Sequence, residues 1–268
     1  MLVKAQELAP QYRSAKPFPH VVIDDFLPSD VVDECIAEFP SPGEDLTFWG
    51  DEGRSHKFGT NDELDMGPTT RQVIAQINGG GMIKFLEELT GIRGLVSDPH
   101  LVGGGIHLLG QDGFLNVHAD FNVHHDLKLD RRINVLLYFN PDWEEEWGGN
   151  LELWNADATS CERRVVPIAG RCVIFNTTDV ALHGNPQPVN SPNGTPRRSL
   201  AFYYYTAGRP REERTASHAT IYPERGERAR PSVRERRQAL KDRSVHVALR
   251  WLPPALVDAV RKRRQTGD

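Results

Sequence analysis

Three cysteines, Cys35, Cys161 and Cys172, are too few, too far apart and too odd in number to frame a disulfide scaffold, and no CxxC pair suggests a zinc ribbon. No apolar run approaches the roughly 18 residues that a membrane helix needs. The opening Met1-Leu2-Val3-Lys4-Ala5-Gln6-Glu7 lacks the basic segment and apolar stretch of a signal peptide. Internal repeats and low-complexity tracts are absent as well. The expectation is a soluble, cytoplasmic protein with no membrane partner. Its 268 residues, 38% of them apolar, suffice for one large domain with a substantial core.

The net charge of −5 is unevenly spread. Residues 209–268 hold 16 Lys and Arg against 8 Asp and Glu, a net +8, which leaves the body at −13. A basic tail raises the question of nucleic acid. Here Glu212, Glu213, Glu224, Glu227 and Glu235 interrupt it, and Tyr222 and Trp251 are its only large aromatics, so stacking platforms are scarce. A solvated helical extension over 209–268 is the better expectation than a nucleic-acid-binding tail. The acidic body favours a cationic substrate over a polyanion.

Residues 1–97 read mainly as helices around one short strand, Val21-Val22-Ile23. Ser29 or Asp30 is placed to cap a helix through Val32, Cys35 and Ile36 that Pro40 stops. Thr69 or Thr70 opens another, and Gly91 closes a third. Residues 41–68, rich in Gly, Pro and charge, read as a long loop. From about 98 the period changes to two. Leu101–Leu109, Phe114–Asp120, Ile133–Phe139, Asn150–Trp154, Arg163–Ile168, Arg171–Phe175 and Arg198–Thr206 are the expected strands. Short strands at this spacing imply a mainly β, α+β domain of jelly-roll type over 98–208 rather than a parallel sheet. Beyond it, 233–250 and 255–264 read as polar helices.

The chemistry concentrates at His118-Ala119-Asp120, which ends a predicted strand, with His183 far downstream. Residues two apart on a strand share a face, so His118 and Asp120 point together. Two imidazoles and one carboxylate cover one face of an octahedral ion and leave the other open, the arrangement of non-haem Fe(II) oxygenases. His124-His125-Asp126 supplies a second HxD, but amid charged residues that read as loop; the first, following an apolar strand, is preferred. Strand parity then puts Arg197, Ser199 and small Ala201 on one face, where a guanidinium and a hydroxyl suit a buried carboxylate. Arg198 falls on the other face with Leu200 and Phe202.

In these segments the chain resembles the Fe(II)/2-oxoglutarate-dependent oxygenases, in the branch that contains the prolyl hydroxylases. The resemblance runs in order through Gly110–Leu115 and His118-Ala119-Asp120, Arg131–Asn140, Trp143, Gly148–Leu153, Arg171–Phe175, His183-Gly184 and Arg197–Tyr204. Pro17–Leu27 is similar to the amino-terminal entry of that branch, and nothing after 209 matches. The resemblance implies a double-stranded β-helix in which His118, Asp120 and His183 bind Fe(II). It implies that Arg197 salt-bridges the distal carboxylate of 2-oxoglutarate, that Tyr138 touches the same carboxylate with Asn134 on its face, and that Leu151 lines the cosubstrate pocket. A tyrosine common in those hydroxylases is Leu108 here, with His107 beside it.

The implied activity is a dioxygenase that couples decarboxylation of 2-oxoglutarate with O₂ to attack on an unactivated C–H bond. Hydroxylation, desaturation and ring closure are all open to it. The substrate expected is a small polar metabolite: a natural-product intermediate, sugar or amino acid. A prolyl peptide is the alternative within the family. A non-catalytic jelly-roll binding module and a zinc hydrolase are the alternatives outside it. Asn122, His107 and His124 are candidates for the substrate side. Trp154, like Trp143 and Trp147, suits either the mouth or rim packing.

Overall fold

A computed structural model describes residues 2–41, 47–48 and 56–223. They belong to a compact unit that closes at Pro223; the polar helices expected over 233–250 and 255–264 lie outside the described residues.

Among the described residues, four helices come from the amino-terminal part: α1 (Leu2–Ser14), α2 (Ser29–Glu38), α3 (Pro68–Ile77) and α4 (Gly80–Thr90). The expected caps are only partly used. Neither Ser29 nor Asp30 caps α2 by its side chain. At α3, Gly67 is the N-cap, and the orphan amides of Thr69 and Thr70 are taken by the carboxylate of Glu38, reaching over from α2 at 2.9 and 2.7 Å. Gly91 does end α4 in the left-handed conformation, φ 80°.

Among the described residues, twelve strands form two sheets: β1 (His20–Ile23), β2 (Thr47–Phe48), β3 (Lys57–Thr60), β4 (Val96–Ser97), β5 (Gly105–Leu109), β6 (Leu115–His118), β7 (Asp130–Tyr138), β8 (Leu151–Trp154), β9 (Cys161–Val165), β10 (Cys172–Asn176), β11 (His183–Asn185) and β12 (Arg197–Thr206). The larger sheet runs β1-β10-β7-β12-β5-β3-β2, with β4 also on β12; the smaller runs β6-β11-β8-β9, and every pairing is antiparallel. This is the jelly roll that the strand spacing implied, in the double-stranded β-helix form that the resemblance implied. Against expectation, the stretch read as loop contributes β2 and β3 to the larger sheet. Lys57-Phe58-Gly59-Thr60 carries no apolar alternation, so period alone could not reveal it.

Period two sorts the residues of the larger sheet. Ile133, Val135 and Leu137 of β7, with Leu200, Phe202 and Tyr204 of β12, are buried in one core with Ala5, Tyr12, Val32, Ile74, Phe85 and Leu86 of the helices. The opposite face of both strands looks toward the smaller sheet, where Tyr138, Leu151, Leu153, Val173 and Phe175 form a second core. Between the sheets lies a cavity of about 220 Å³.

Candidate active site

The cavity is lined by His118, Asp120 and His183 together with Asn134, Leu151, Arg197, Ser199 and His107. His118 ends β6 and stands directly opposite His183 on β11 in the register of the smaller sheet. Asp120 lies past the end of β6, but Ala119 between the two keeps strand geometry because its N–H and C=O both bond to Ile221 at 2.8 Å. His118 and Asp120 therefore face the same way, as their spacing requires. Gly184 makes the approach of β11 to β6 possible: a Cβ there would meet Leu115 O, Asn116 O and Val117 N within 2.9 Å.

The three side chains are aimed at one point. Their donor atoms all lie within 4.8 Å of one another, and no other such group occurs among the described residues. His118 Nε2 is 3.4 Å from Asp120 Oδ1, and His183 Nε2 is 3.5 Å from Asp120 Oδ2. Each Nδ1–H donates to a carbonyl two residues back, Asn116 O at 2.8 Å and Ala181 O at 3.0 Å. A carbonyl can only accept, so this fixes the tautomer that presents Nε2 as a lone pair. Burial holds the His183 imidazole down, to about 4, against the opposing pull of Asp120, so it is neutral at pH 7. Burial acts on Asp120 in the other direction, but the Arg131 guanidinium and the two imidazoles outweigh it and keep the carboxyl well below its usual range. Two imidazoles that present Nε2 and one carboxylate are what a divalent ion needs.

The second HxD is something else. His124 is fully buried, accepts the amides of Asp126 and Leu127 at Nδ1, and packs edge-on to Tyr205 with Asp98 beyond it. It organises a loop away from the cavity, while Asp126 is exposed.

On the adjoining wall, Arg197, Ser199, Ala201 and Tyr203 face inward and Arg198 outward, as parity required. Arg197 is 4% exposed, donates from Nη1 to Ser199 Oγ at 3.3 Å, and holds its guanidinium 4.8 Å from the Tyr138 ring. Gly149 lets its stem pack, since a Cβ there would lie 3.1 Å from Arg197 Cδ. No carboxylate among the described residues pairs with it, and both Arg197 Nε and Tyr138 Oη are buried without a well-formed hydrogen bond. A buried guanidinium beside two hydroxyls, open to a cavity, has the chemistry to take a carboxylate.

Several expected residues sit elsewhere. Asn122 donates from Nδ2 to Thr215 Oγ1 and Ala216 O and accepts the His218 N–H at Oδ1, so it tethers the chain beyond β12 instead of facing a ligand. Trp154 packs with Val117, Ala119 and Leu182 at the outer side of the smaller sheet, its indole N–H on Glu152. Asn134 does reach the cavity, but its amide binds Asp120 Oδ2 at 2.7 Å. His107 faces inward while Leu108 joins the helical core.

Others were not foreseen. Lys57 of β3 lies in one cross-strand row with Leu109 and Arg197 and lines the cavity; burial, with Arg197 next, lowers its ammonium to about 8. With Arg131 and Arg197 it makes the cavity cationic against the single acid Asp120, so the acidic surface does not predict the charge of the interior. Thr220 and Tyr222 complete the wall, the Tyr222 ring standing 5.6 Å from that of His118.

Residues 104–205 match the family model of the 2OG-Fe(II) oxygenase superfamily, a span that contains the triad and Arg197. The chain carries a 2OG-Fe(II) oxygenase domain. It is thus a 2-oxoglutarate-dependent dioxygenase that uses Fe(II). No curated protein matches its sequence. Among solved structures, a prolyl-4-hydroxylase of Pseudomonas putida is 20% identical with a TM-score of 0.51, covering 78% of this chain and 100% of its own. HygX of Streptomyces hygroscopicus, solved with nickel and 2-oxoglutarate, is 15% identical over 80% of this chain and 96% of its own, TM-score 0.51. SnoN, an α-ketoglutarate-dependent epimerase of nogalamycin biosynthesis, is 16% identical over 86% and 98%, TM-score 0.52. At these identities the likeness of the oxygenase to each is one of fold.

Proposed function

We propose that this oxygenase oxidises an unactivated C–H bond of a small polar metabolite, with His118, Asp120 and His183 holding Fe(II) and Arg197 holding 2-oxoglutarate. When bound, Fe(II) and 2-oxoglutarate supply O₂ activation and an oxidant strong enough for such a carbon, with release of succinate and CO₂. The chain supplies the rest. His118 and His183 offer fixed lone pairs, and their Nδ1 bonds keep the rings from turning. Arg197 and the hydroxyls of Ser199 and Tyr138 take the far carboxylate of the cosubstrate, and Leu151 packs beside its carbon chain. The apolar flank keeps that ion pair dry.

The observation that carries the substrate class is the path of residues 209–222. Arg209 anchors the start, donating to the carbonyls of Arg131 and of Thr177, the latter at 2.8 Å; Glu213 pairs with Arg132 at 2.9 Å and His218 with Asp179 at 2.9 Å. Ile221 then pairs with Ala119, and Tyr222 stands over His118. This strap occupies the outer edge of the smaller sheet beside the triad, where an extended peptide would need its own pairing, and leaves an opening for a compact ligand. A relative of the same fold, HygX, has been solved with hygromycin B bound, which agrees with that reading.

Succinate release from 2-oxoglutarate by the Fe(II) enzyme, measured across sugars, amino acids, other polar metabolites and prolyl peptides, is the test. Stimulation by a small metabolite is expected. Stimulation by prolyl peptides alone would overturn the substrate class, and turnover with Zn(II) in place of Fe(II) would overturn the chemistry.

A further inference from the structure

Asp120 has two oxygens, and the structure treats them differently. Oδ2 accepts from Arg131 Nη2 at 2.9 Å and from Asn134 Nδ2 at 2.7 Å. Arg131 in turn grips Asn134 Oδ1 from Nε at 3.1 Å and Nη2 at 2.8 Å, so the three side chains form a closed ring of hydrogen bonds. The ring is rigid. Arg131 is 1% exposed, its guanidinium lies 3.5 Å from the centre of the Tyr203 ring and 4.5 Å from that of Phe121, and its own carbonyl is held by Thr177 Oγ1.

A carboxylate oxygen offers about two lone-pair directions. Both of those on Oδ2, which also lies 3.5 Å from His183 Nε2, are spent on the clamp, while Oδ1 lies 3.4 Å from His118 Nε2 without a bond to it from Arg131 or Asn134. An octahedral ion held by two imidazoles and one carboxylate oxygen keeps three positions open, whereas a carboxylate bound through both oxygens keeps two. Two donors of a chelating cosubstrate already fill two. The third position exists only if Asp120 binds through one oxygen.

We propose that Arg131 and Asn134 are positioning residues that hold Asp120 as a one-oxygen metal ligand through Oδ1, and so preserve the third open position. The assignment rests on the reading that His118, Asp120 and His183 hold the metal. It removes Asn134 from the cosubstrate's partners, where the resemblance had put it, and gives the buried charge of Arg131 a task.

The test uses the full chain loaded with Co(II) and reads the metal-loaded minus metal-free infrared difference spectrum. One-oxygen coordination widens the separation of the antisymmetric and symmetric carboxylate stretches, and two-oxygen coordination narrows it. A wide separation is expected in the wild type. Asn134→Ala and Arg131→Met should narrow it. Arg131→Lys, which retains a donor and the charge, should keep most of the wild-type separation. A narrow separation in the wild type overturns the assignment whatever the variants do, including a failure of Arg131→Met to fold. An unchanged spectrum in folded Asn134→Ala and Arg131→Met also overturns it. No Co(II) binding at all would instead overturn the metal site on which it rests.

Discussion

A guanidinium buried without an acid beside it is expensive to keep, and Arg197 is kept in that state beside Tyr138 and Ser199. The cost makes sense if a ligand's carboxylate completes the pair. Removing one partner of such a pair leaves the other charge buried and unpaired, which costs roughly 3–5 kcal/mol. Arg197→Ala is therefore expected to raise the 2-oxoglutarate dissociation constant by a factor on the order of a hundred or more at fixed metal. Arg198 sits one residue on but faces away from the cavity, half-buried, and its backbone N–H serves the amide oxygen of Asn140 at 2.6 Å. Its side chain should matter to cosubstrate affinity by less than about threefold, since a half-exposed charge contributes little. Calorimetric titration of 2-oxoglutarate into the two Co(II)-loaded variants makes the comparison; a larger loss in Arg198→Ala would place the anchor on the wrong face.

At the scale of elements, the strap is the feature that most shapes the site. One of the two hydrogen bonds between Ile221 and Ala119 uses the Ile221 N–H, which Ile221→Pro deletes. Loss of a bond of about 0.5–1.5 kcal/mol should make opening of the strap roughly threefold to tenfold more frequent. Because Tyr222 stands over His118, that opening should speed removal of Co(II) by a chelator by the same factor, followed by loss of the metal's absorption. An unchanged rate would mean that the strap does not guard the metal. The strap also marks how far the sequence could be read. Strands with clean alternation announced themselves, and with them the triad and the face of Arg197. Arg131 did not, because β7 carries a bulge: Tyr204 pairs with Ile133 but Tyr205 with Arg131, so Arg132 is the extra residue and parity reverses there. Counting by twos from Asn134 puts Arg131 on the outer face, and the bulge turns it inward against Asp120. Lys57 and Tyr222 were hidden for another reason, each reaching the cavity from a stretch without apolar period. Asn122 and His124 were misplaced because proximity in sequence to an iron ligand says nothing about which way a loop residue turns.

For the whole molecule, the burial of imidazoles sets how the fold answers acid. His20, His107 and His183 are all held below the ordinary value of 6.5, burial being the largest cause in each, with His183 reaching about 4. In the unfolded chain each takes up a proton near pH 6.5; in the folded chain it stays neutral to a lower pH. Between those values the unfolded state binds more protons, so stability must fall as pH falls. The contribution is complete above 6.5 and is lost on the way down toward 4. Each such group adds a slope of up to about 1.4 kcal/mol per pH unit in that window. Asp120, held well below 3.8, adds its own loss in the same direction, but only at lower pH. The urea midpoint of the metal-free protein should therefore decline steeply from pH 6.5 to 4.5 and stay nearly level from 6.5 to 7.5. Replacing His107 with glutamine, which cannot take the proton, should flatten the acid limb by the slope of one group, whatever it does to the midpoint at neutral pH. An acid limb equally steep in that variant would mean that His107 is already protonated in the folded cavity, and that Lys57 and Arg197 share their wall with a third cation.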